Sequence, residues 1–344
     1  MKVGIDISSL HSLSKGRGIG FYTQALIDSL KKYTDVEIKV IESINQQQNV
    51  DLIHYPFFDF FRPTLKINNY IPTVVTIHDV IPLLFPKNYP PGIRGRVNLF
   101  LQKQSLNKTK AIITDSKSST NDITKILKVP QNKVHTVYLA SSEHFTKLTE
   151  KEINERTKKF NLPEIFALYS GGVNWNKNLI NQTEAALKSD IDLVLVGGGF
   201  DNKNNLDHPE MKEFKQFLNK YQNNPKIHIL GFVSDEELVG LMNRAKALLF
   251  ASRYEGFGLP ILESQACGTP IITGNISSMP EVAGDGAILV DPNSVDQISL
   301  SLSNIIHDED NRKLVIKKGF ENLNNFSWKK TAVETLKVYQ NALG

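Results

Sequence analysis

The chain has 344 residues, 40% of them apolar and 22% charged, with a formal net charge of +4. That length suits two domains of ordinary size, and that composition supports buried cores, which excludes a disordered or low-complexity protein. A charge of +4 gives no argument for nucleic acid as a partner, although residues 1–160 carry 23 Lys/Arg against 14 Asp/Glu and the remainder 17 against 22, so the front half is basic and the back half acidic.

The single cysteine, Cys267, makes no intramolecular bridge, and one thiol with eight scattered histidines assembles no metal site. A reducing compartment, the cytoplasm, is expected, with Cys267 as a small buried hydrophobe. The opening MKVGIDISS has no apolar h-region, and the most apolar stretch, YIPTVVTIHDVIPLLF, is interrupted by His78 and Asp79. Neither a signal peptide nor a spanning helix is expected.

In chain order, KVGIDIS, EIKVIE, DLIHYP, TVVTIHD, AIITDS and KVHTVYL read as buried strands separated by stretches of helical spacing, the pattern of a parallel sheet covered on both faces. The charged, strand-poor LTEKEINERTKKFNLP (residues 148–163) marks a boundary, after which IFALYSG, DLVLVGG, IHILGF, ALLFAS, PIITGN and AILVDP form a second series. The expectation is an α/β protein with domains at 1–160 and 161–326 and a terminal helix in 327–344. Helices are predicted in FYTQALIDSLKKY after the Gly18-Ile19-Gly20 turn, in SDEELVGLMNRA with Ser234 as N-cap and Glu237 three residues on, and in FSWKKTAVETLKVYQNAL.

Ligands of open parallel sheets bind beyond the carboxyl ends of the strands. His78 and Asp79 end TVVTIHD, where an imidazole oriented by Asp79 can hydrogen-bond a ligand hydroxyl; the alternative is a satisfied core histidine. His54 in DLIHYP is similarly placed but less specific. Gly18 and Gly20 let the first loop approach a ligand closely. Residues 81–110 hold Lys87, Arg94, Arg96, Lys103, Lys108 and Lys110, with no acid, among Val97, Leu99, Phe100, Leu101 and Leu106. This segment reads equally as a basic amphipathic helix resting on an anionic membrane or lipid-linked acceptor, or as a helix whose apolar face packs on the sheet.

In the back half, LYSGGVNWNKN ends a strand in Gly171 and Gly172 and carries Lys177 into a loop, which places an ammonium where a phosphate could sit, unless Lys177 is a solvated loop lysine. The densest signal is RYEGFGLPILESQACGTPIITGN, Arg253 to Asn275. Pro260 suits a first helical turn, so Glu255 lies in the glycine-rich loop and Glu263 about one turn inside the helix. The loop's N–H groups and the helix start form an anion site, and the two acids suit opposite ends of an elongated ligand better than a hydrolase pair. The competing reading is two surface acids beside an ordinary loop.

The stretch E-G-F-G-L-P-x-L-E resembles the E-x7-E motif of retaining glycosyltransferases of the GT-B fold, two Rossmann-like parallel-sheet domains facing a central cleft, glycosyltransferase family four in particular. GRGIGFY, the IHD strand end, TDSKSS, GGVNWNKN, LGFVSDEEL and NISSMPEVAGDGAILVDP extend the likeness over nearly the whole chain. The resemblance implies that Glu263 hydrogen-bonds the ribose hydroxyls of a nucleotide sugar. Glu255, with Gly256, Phe257, Gly258 and Leu259, would contact the sugar and diphosphate; Gly172 and Lys177 would serve the diphosphate, and His78 a sugar hydroxyl. Related enzymes carry an Arg near Gly171 or just before the Lys; here Asn176 precedes Lys177, and Arg253 becomes the candidate to share the load.

The resemblance further implies a retaining transferase that needs no metal or other cofactor and moves a hexose from a nucleotide sugar to a glycan or lipid-linked acceptor; on the membrane reading of residues 81–110 it would work in the cytoplasm at the inner face of the cell membrane. Its likeness to bacterial polysaccharide and lipopolysaccharide enzymes favours GDP-mannose. It also implies that the last helix crosses back to the first lobe, so that deleting 327–344 would loosen the lobe arrangement. Rival readings are a nucleotide-sugar epimerase on the same fold, a catalytically silent nucleotide-sugar-binding protein, and a dinucleotide-dependent oxidoreductase. The last rests on G-R-G-I-G and Glu42 but lacks the third glycine.

Overall fold

The computed structural model describes residues 1–7, 18–42, 49–65, 70–202, 204 and 206–344. Gly16 and Arg17 of the first glycine loop lie outside them. The chain divides into two compact units, Met1–Ala140 with Phe326–Gly344, and Ser141–Asn325.

The first unit runs β1 (Lys2–Asp6), α1 (Ile19–Tyr33), β2 (Glu37–Ile41), β3 (Leu52–Tyr55), β4 (Thr73–Thr76), α2 (Ile81–Leu84), α3 (Gly92–Lys108), β5 (Ala111–Thr114), α4 (Lys117–Leu127) and β6 (Val134–Thr136). Its strands form one parallel sheet in the order β2-β1-β3-β4-β5-β6. The central strands β3, β4 and β5 are buried throughout, as their β-branched runs demand. EIKVIE and KVHTVYL, read as buried, supply the edge strands β2 and β6, and β2 leaves Val40 exposed.

The terminal helix, Trp328–Leu343 (α13 once the second unit's helices are counted), is capped by the Ser327 hydroxyl, which accepts from the Lys330 N–H. It buries Thr331, Ala332, Thr335, Val338 and Tyr339 in the first unit, with the Trp328 ring edge-on to Phe21 of α1. Deleting 327–344 therefore opens this unit's own core, a more severe lesion than the loosened lobe arrangement expected from sequence.

His54 is a satisfied core histidine rather than a ligand contact. It is fully buried, with Nδ1 2.7 Å from the Tyr339 hydroxyl and Nε2 2.8 Å from Thr76 Oγ1. Burial, assisted by the nearby charge of His78, pushes its pKa down to about 3. In the unfolded chain it protonates near pH ~6.5, so between those values the unfolded state binds more protons and stability falls as pH falls. The expected loss at pH 5 is about 2 kcal/mol relative to pH 7. His78, whose folded value is raised, gains stability as pH falls from 7 through about 6.5 and so offsets part of this loss, contributing a constant amount only below that range. Urea unfolding at the two pH values checks it: His54→Gln, though less stable, should show a shallower acid slope, and an identical slope would contradict the assignment.

The second unit runs α5 (Glu150–Thr157), β7 (Phe166–Ser170), α6 (Leu179–Lys188), β8 (Asp192–Val196), α7 (Lys212–Tyr221), β9 (Ile227–Gly231), α8 (Asp235–Arg244), β10 (Ala247–Phe250), α9 (Leu259–Cys267), β11 (Ile271–Gly274), α10 (Met279–Ala283), β12 (Ile288–Val290), α11 (Val295–His307) and α12 (Glu309–Asn322). Its parallel sheet has the order β12-β11-β10-β7-β8-β9, that of a dinucleotide-binding sheet, with the switch point between β7 and β10. The boundary lies at Ala140/Ser141, ahead of the expected 160/161. The charged stretch contains α5, closed by a Thr149/Glu152 capping box, and its buried Ile153 and Thr157 belong to this unit's core. There α5 packs so tightly on α8 that a Cβ at Gly240 would stand 2.7 Å from Arg156 Cβ. Helix α8 begins, as expected, at Ser234 with Glu237 completing a capping box.

Candidate functional site

Strands β7 and β10 are hydrogen-bonded neighbours, so the loops after them meet at one end of the second sheet. The first carries Gly171, Gly172, Asn176 and Lys177, and the second Arg253 to Gly258. Three bonds lace them together: the Arg253 N–H donates to the Asn176 carbonyl at 2.7 Å, Asn176 Nδ2 to the Tyr254 carbonyl at 3.0 Å, and Arg253 Nη1 to the Trp175 carbonyl at 2.6 Å. Asn176 is thus a buried tie between loops.

Lys177 Nζ donates to both oxygens of Glu255, at 2.8 and 2.9 Å, and lies 5.6 Å from the centre of the Phe250 ring. The pair is inset, the Glu255 side chain 9% exposed and the Lys177 side chain 24%. Lys177 is therefore no solvated loop lysine, nor Glu255 a surface acid. Glu255 is fixed from behind: its N–H donates to Ser277 Oγ, while Ser278 Oγ donates to the carbonyls of Glu255 and Phe257.

Gly258 follows at φ 107°, a conformation open to glycine, and turns the chain into α9, with Leu259 as its first residue and Pro260 in its first turn. Glu263 lies one turn inside, as read from sequence; in the first turn of α9 Pro260 has no N–H, and the Ile261 N–H donates to the Gly258 carbonyl at 2.9 Å. Cys267, at the last position of α9, is buried; burial, with the Glu263 charge, pushes its thiol up to about 12, so it is inert packing.

Arg253 does not join Lys177. Its Nη1 pairs with Glu213 Oε2 of α7 at 2.7 Å and its guanidinium stacks 5.1 Å from the Trp175 ring centre. Burial raises the Glu213 pKa against the lowering effect of Arg253. Arg253, 16% of its side chain exposed, is thus paired with an acid as Lys177 is, on the side of the loops that faces α7.

Gly172, near the start of the first loop, has its carbonyl accepting from the Tyr169 hydroxyl. Burial and the charges of Glu255 and Glu213 hold that phenol protonated.

In the first unit, His78 and Asp79 follow β4. The imidazole Nδ1 lies 2.7 Å from Asp115 Oδ2 and Nε2 lies 3.2 Å from the Pro56 carbonyl. Asp79, expected to orient the ring, instead accepts the Ile81 N–H on Oδ1 at the start of α2. Burial works against protonation of His78, but Asp115, then Asp79 and the Pro56 carbonyl, outweigh it and raise the pKa. Gly18, at φ 93°, is the N-cap of α1, and Gly20 lies in that helix's first turn, just ahead of the buried Tyr22 and Thr23. The Tyr22 ring stands edge-on to His78 at 4.8 Å.

Sequence reading missed Asp115, Glu213, Ser277 and Ser278. Asp115 had a signal, since AIITD ends β5 as TVVTIH ends β4; Glu213, 40 residues from Arg253 on a helix, had none.

A family model described as glycosyl transferases group 1 matches residues 150–322, and one described as glycosyltransferase family 4 matches residues 26–140. O-antigen chain mannosyltransferase B of Escherichia coli is 29% identical over 286 residues, covering 79% of this chain and 72% of that protein. Serotype-specific mannosyltransferase WbdA of Escherichia coli is 26% identical over 76% of this chain, which spans only 32% of that longer protein. Among solved structures, a sucrose-phosphate synthase from Thermosynechococcus elongatus superposes with a TM-score of 0.75 at 17% identity, covering 98% of both chains. The two six-stranded parallel sheets are those of the GT-B fold.

Proposed function

The chain belongs to the group 1 glycosyl transferases, and from that premise we propose that it is a retaining hexosyltransferase. It moves a hexose, mannose foremost, from a nucleotide sugar to a hydroxyl of a glycan or lipid-linked acceptor, without a metal. The observation that carries this reading is the inset Lys177–Glu255 pair, four residues ahead of α9, with Glu263 one turn into that helix. One ammonium, the positive end of a helix and two acids along one short path suit an elongated ligand with a diphosphate in its middle.

As the bond between the anomeric carbon and the diphosphate breaks, charge develops on the leaving oxygen, where a fixed cation and the positive end of the helix stabilise it. The acceptor oxygen forms the new bond and its proton passes to the leaving phosphate, so no protein base is assigned. The similarity to mannosyltransferases of Escherichia coli supports mannose, and with it a guanine nucleotide, as the donor.

The test is product analysis with GDP-mannose, UDP-glucose, UDP-N-acetylglucosamine and dTDP-rhamnose, with and without acceptor and with EDTA. Acceptor-dependent transfer that survives EDTA, with the anomeric configuration retained, is expected. Conversion of the donor sugar without acceptor would instead mark an epimerase, and binding without product a silent protein.

The lipid-linked acceptor is supported by α3. Leu99 and Leu106 face inward, whereas Ile93, Val97, Phe100 and Leu101 are 86%, 56%, 63% and 55% exposed, at the spacing of one helical face. Arg94 and Arg96 are exposed beside them and the segment 81–110 has no acid, which suits an anionic bilayer surface. No helix among the described residues is long and apolar enough to cross a membrane. We place the protein in the cytoplasm, at the inner membrane face. Binding to vesicles containing phosphatidylglycerol, lost when Arg94, Arg96 and Lys103 are neutralised, is the expected result; equal binding to neutral vesicles would contradict it.

A further inference from the structure

The parallel register of β4 and β5 pairs Thr76 with Ile113, so two residues further on His78 stands beside Asp115, both just past the ends of their strands. Asp115 immediately precedes Ser116, the N-cap of α4, where the positive end of the helix favours a carboxylate. Its side chain is 4% exposed, and its second oxygen, Oδ1, is buried with no hydrogen-bond partner among the described residues. The hydrogen bonding of this carboxylate with those residues therefore goes to one group, the ring of His78.

The two ring nitrogens of His78 both face pure acceptors. Nδ1 meets a carboxylate oxygen at 2.7 Å and Nε2 a backbone carbonyl at 3.2 Å. A neutral imidazole has one N–H and would turn a lone pair toward one of these oxygens; only the imidazolium satisfies both. The other titratable groups around the ring are Tyr22 from α1, His54 from β3 and Asp79 on the same strand end. His54 reaches only hydroxyl groups, which a neutral ring can satisfy, and a second cation there would be repelled by His78. Two imidazoles in one polar network thus hold opposite charge states, sorted by which of them has the carboxylate. Tyr22 bonds to Thr76 Oγ1 at 2.9 Å and stays a phenol because burial and then Asp115 oppose its ionisation.

We propose that Asp115 is the positioning residue of His78, holding the ring doubly protonated so that its Nε2–H is a charge-assisted donor to a substrate hydroxyl. The longer bond, to the Pro56 carbonyl, is the one a substrate oxygen replaces, while the short bond to Asp115 keeps the ring in place. The role toward substrate rests on the transferase reading given above; the charge state of the ring does not.

The test is NMR titration of the protein labelled in its histidine rings, with His78 assigned through His78→Gln, followed by the pH dependence of transfer. The wild-type ring is expected to remain protonated at pH 7. In Asp115→Asn it should be mostly neutral at that pH, and Asp115→Glu should restore the charge. Asp79→Asn should move the titration less than Asp115→Asn. The alkaline limb of the kcat profile should move to lower pH in Asp115→Asn, with KM changing less than kcat, and return in Asp115→Glu.

A wild-type ring neutral at pH 7, or a titration that Asp115→Asn leaves in place, would overturn the proposal. So would a limb unmoved in a variant whose ring titration has shifted. Because the ring titration needs no substrate, absence of transfer with every donor would refute the transferase reading while the charge state of the pair is still decided.

Discussion

Lys177→Ala is expected to lower the rate of sugar transfer by about 100- to 1,000-fold, the usual effect of removing one donor from a site where transition-state charge develops. Arg253, the other cation of these loops, is held by Glu213 and the Trp175 carbonyl and is not placed to compensate. The same substitution leaves Glu255, 9% exposed, without its counter-charge, at a cost of about 3 kcal/mol for an inset pair. Activity and stability would then fall together. Lys177→Met combined with Glu255→Gln separates the effects, since removing both charges leaves no unpaired ion. The double variant should regain most of the thermal midpoint and none of the turnover; recovery of turnover would show that Lys177 acts only by keeping the loop folded.

Gly197→Ala is expected to be the most damaging single methyl group in the second unit. Gly197 has φ 151° directly after β8, and a Cβ there would stand 2.0 Å from the Gly171 carbonyl oxygen. That oxygen belongs to backbone that has no room to yield, because the Gly171 N–H donates to the Val196 carbonyl at 3.0 Å and the Gly197 N–H to the Gly231 carbonyl at 2.8 Å. The strand ends must separate, at more than about 3 kcal/mol and about 10 °C in thermal midpoint for a unit of this size. Gly199→Ala, whose Cβ would come no nearer than 3.2 Å to the Val173 side chain and 3.4 Å to the Val173 backbone nitrogen, should cost less. A midpoint for Gly197→Ala within about 2 °C of wild type would show that the close approach is not needed.

Both sheets were legible because a strand buried on two faces has to be a continuous apolar run, as DLVLV and AIIT are. The same criterion misplaced the edge strands, since β2 is as rich in β-branched residues as a central strand yet exposes Val40. The domain boundary was misread for a related reason. Helix α5 hides two buried residues, Ile153 and Thr157, among charged neighbours that look like a linker.

At the site, the spacing of Glu255, Pro260 and Glu263 identified a loop and a helix start, and both are where that spacing puts them. The partners of the charges were not legible. Lys177 pairs with an acid 78 residues away and Arg253 with one 40 residues away, and which cation meets which acid depends on the loops that follow neighbouring strands. Asp79 was preferred to Asp115 as the partner of His78 because it is adjacent in sequence. Consecutive residues past a strand end point to opposite sides, whereas residues level with each other on neighbouring strands share one.

In the proposed transferase, the second unit binds the diphosphate of a nucleotide sugar at Lys177 and its ribose at Glu263. Calorimetric titration of GDP, UDP, dTDP and ADP into the wild-type protein, Lys177→Ala and Glu263→Ala tests it most directly. One nucleoside diphosphate should bind the wild type, and both variants should lose at least about tenfold in affinity, 1.4 kcal/mol or more. Binding of none of the four, or equal binding to all three proteins, would contradict the account.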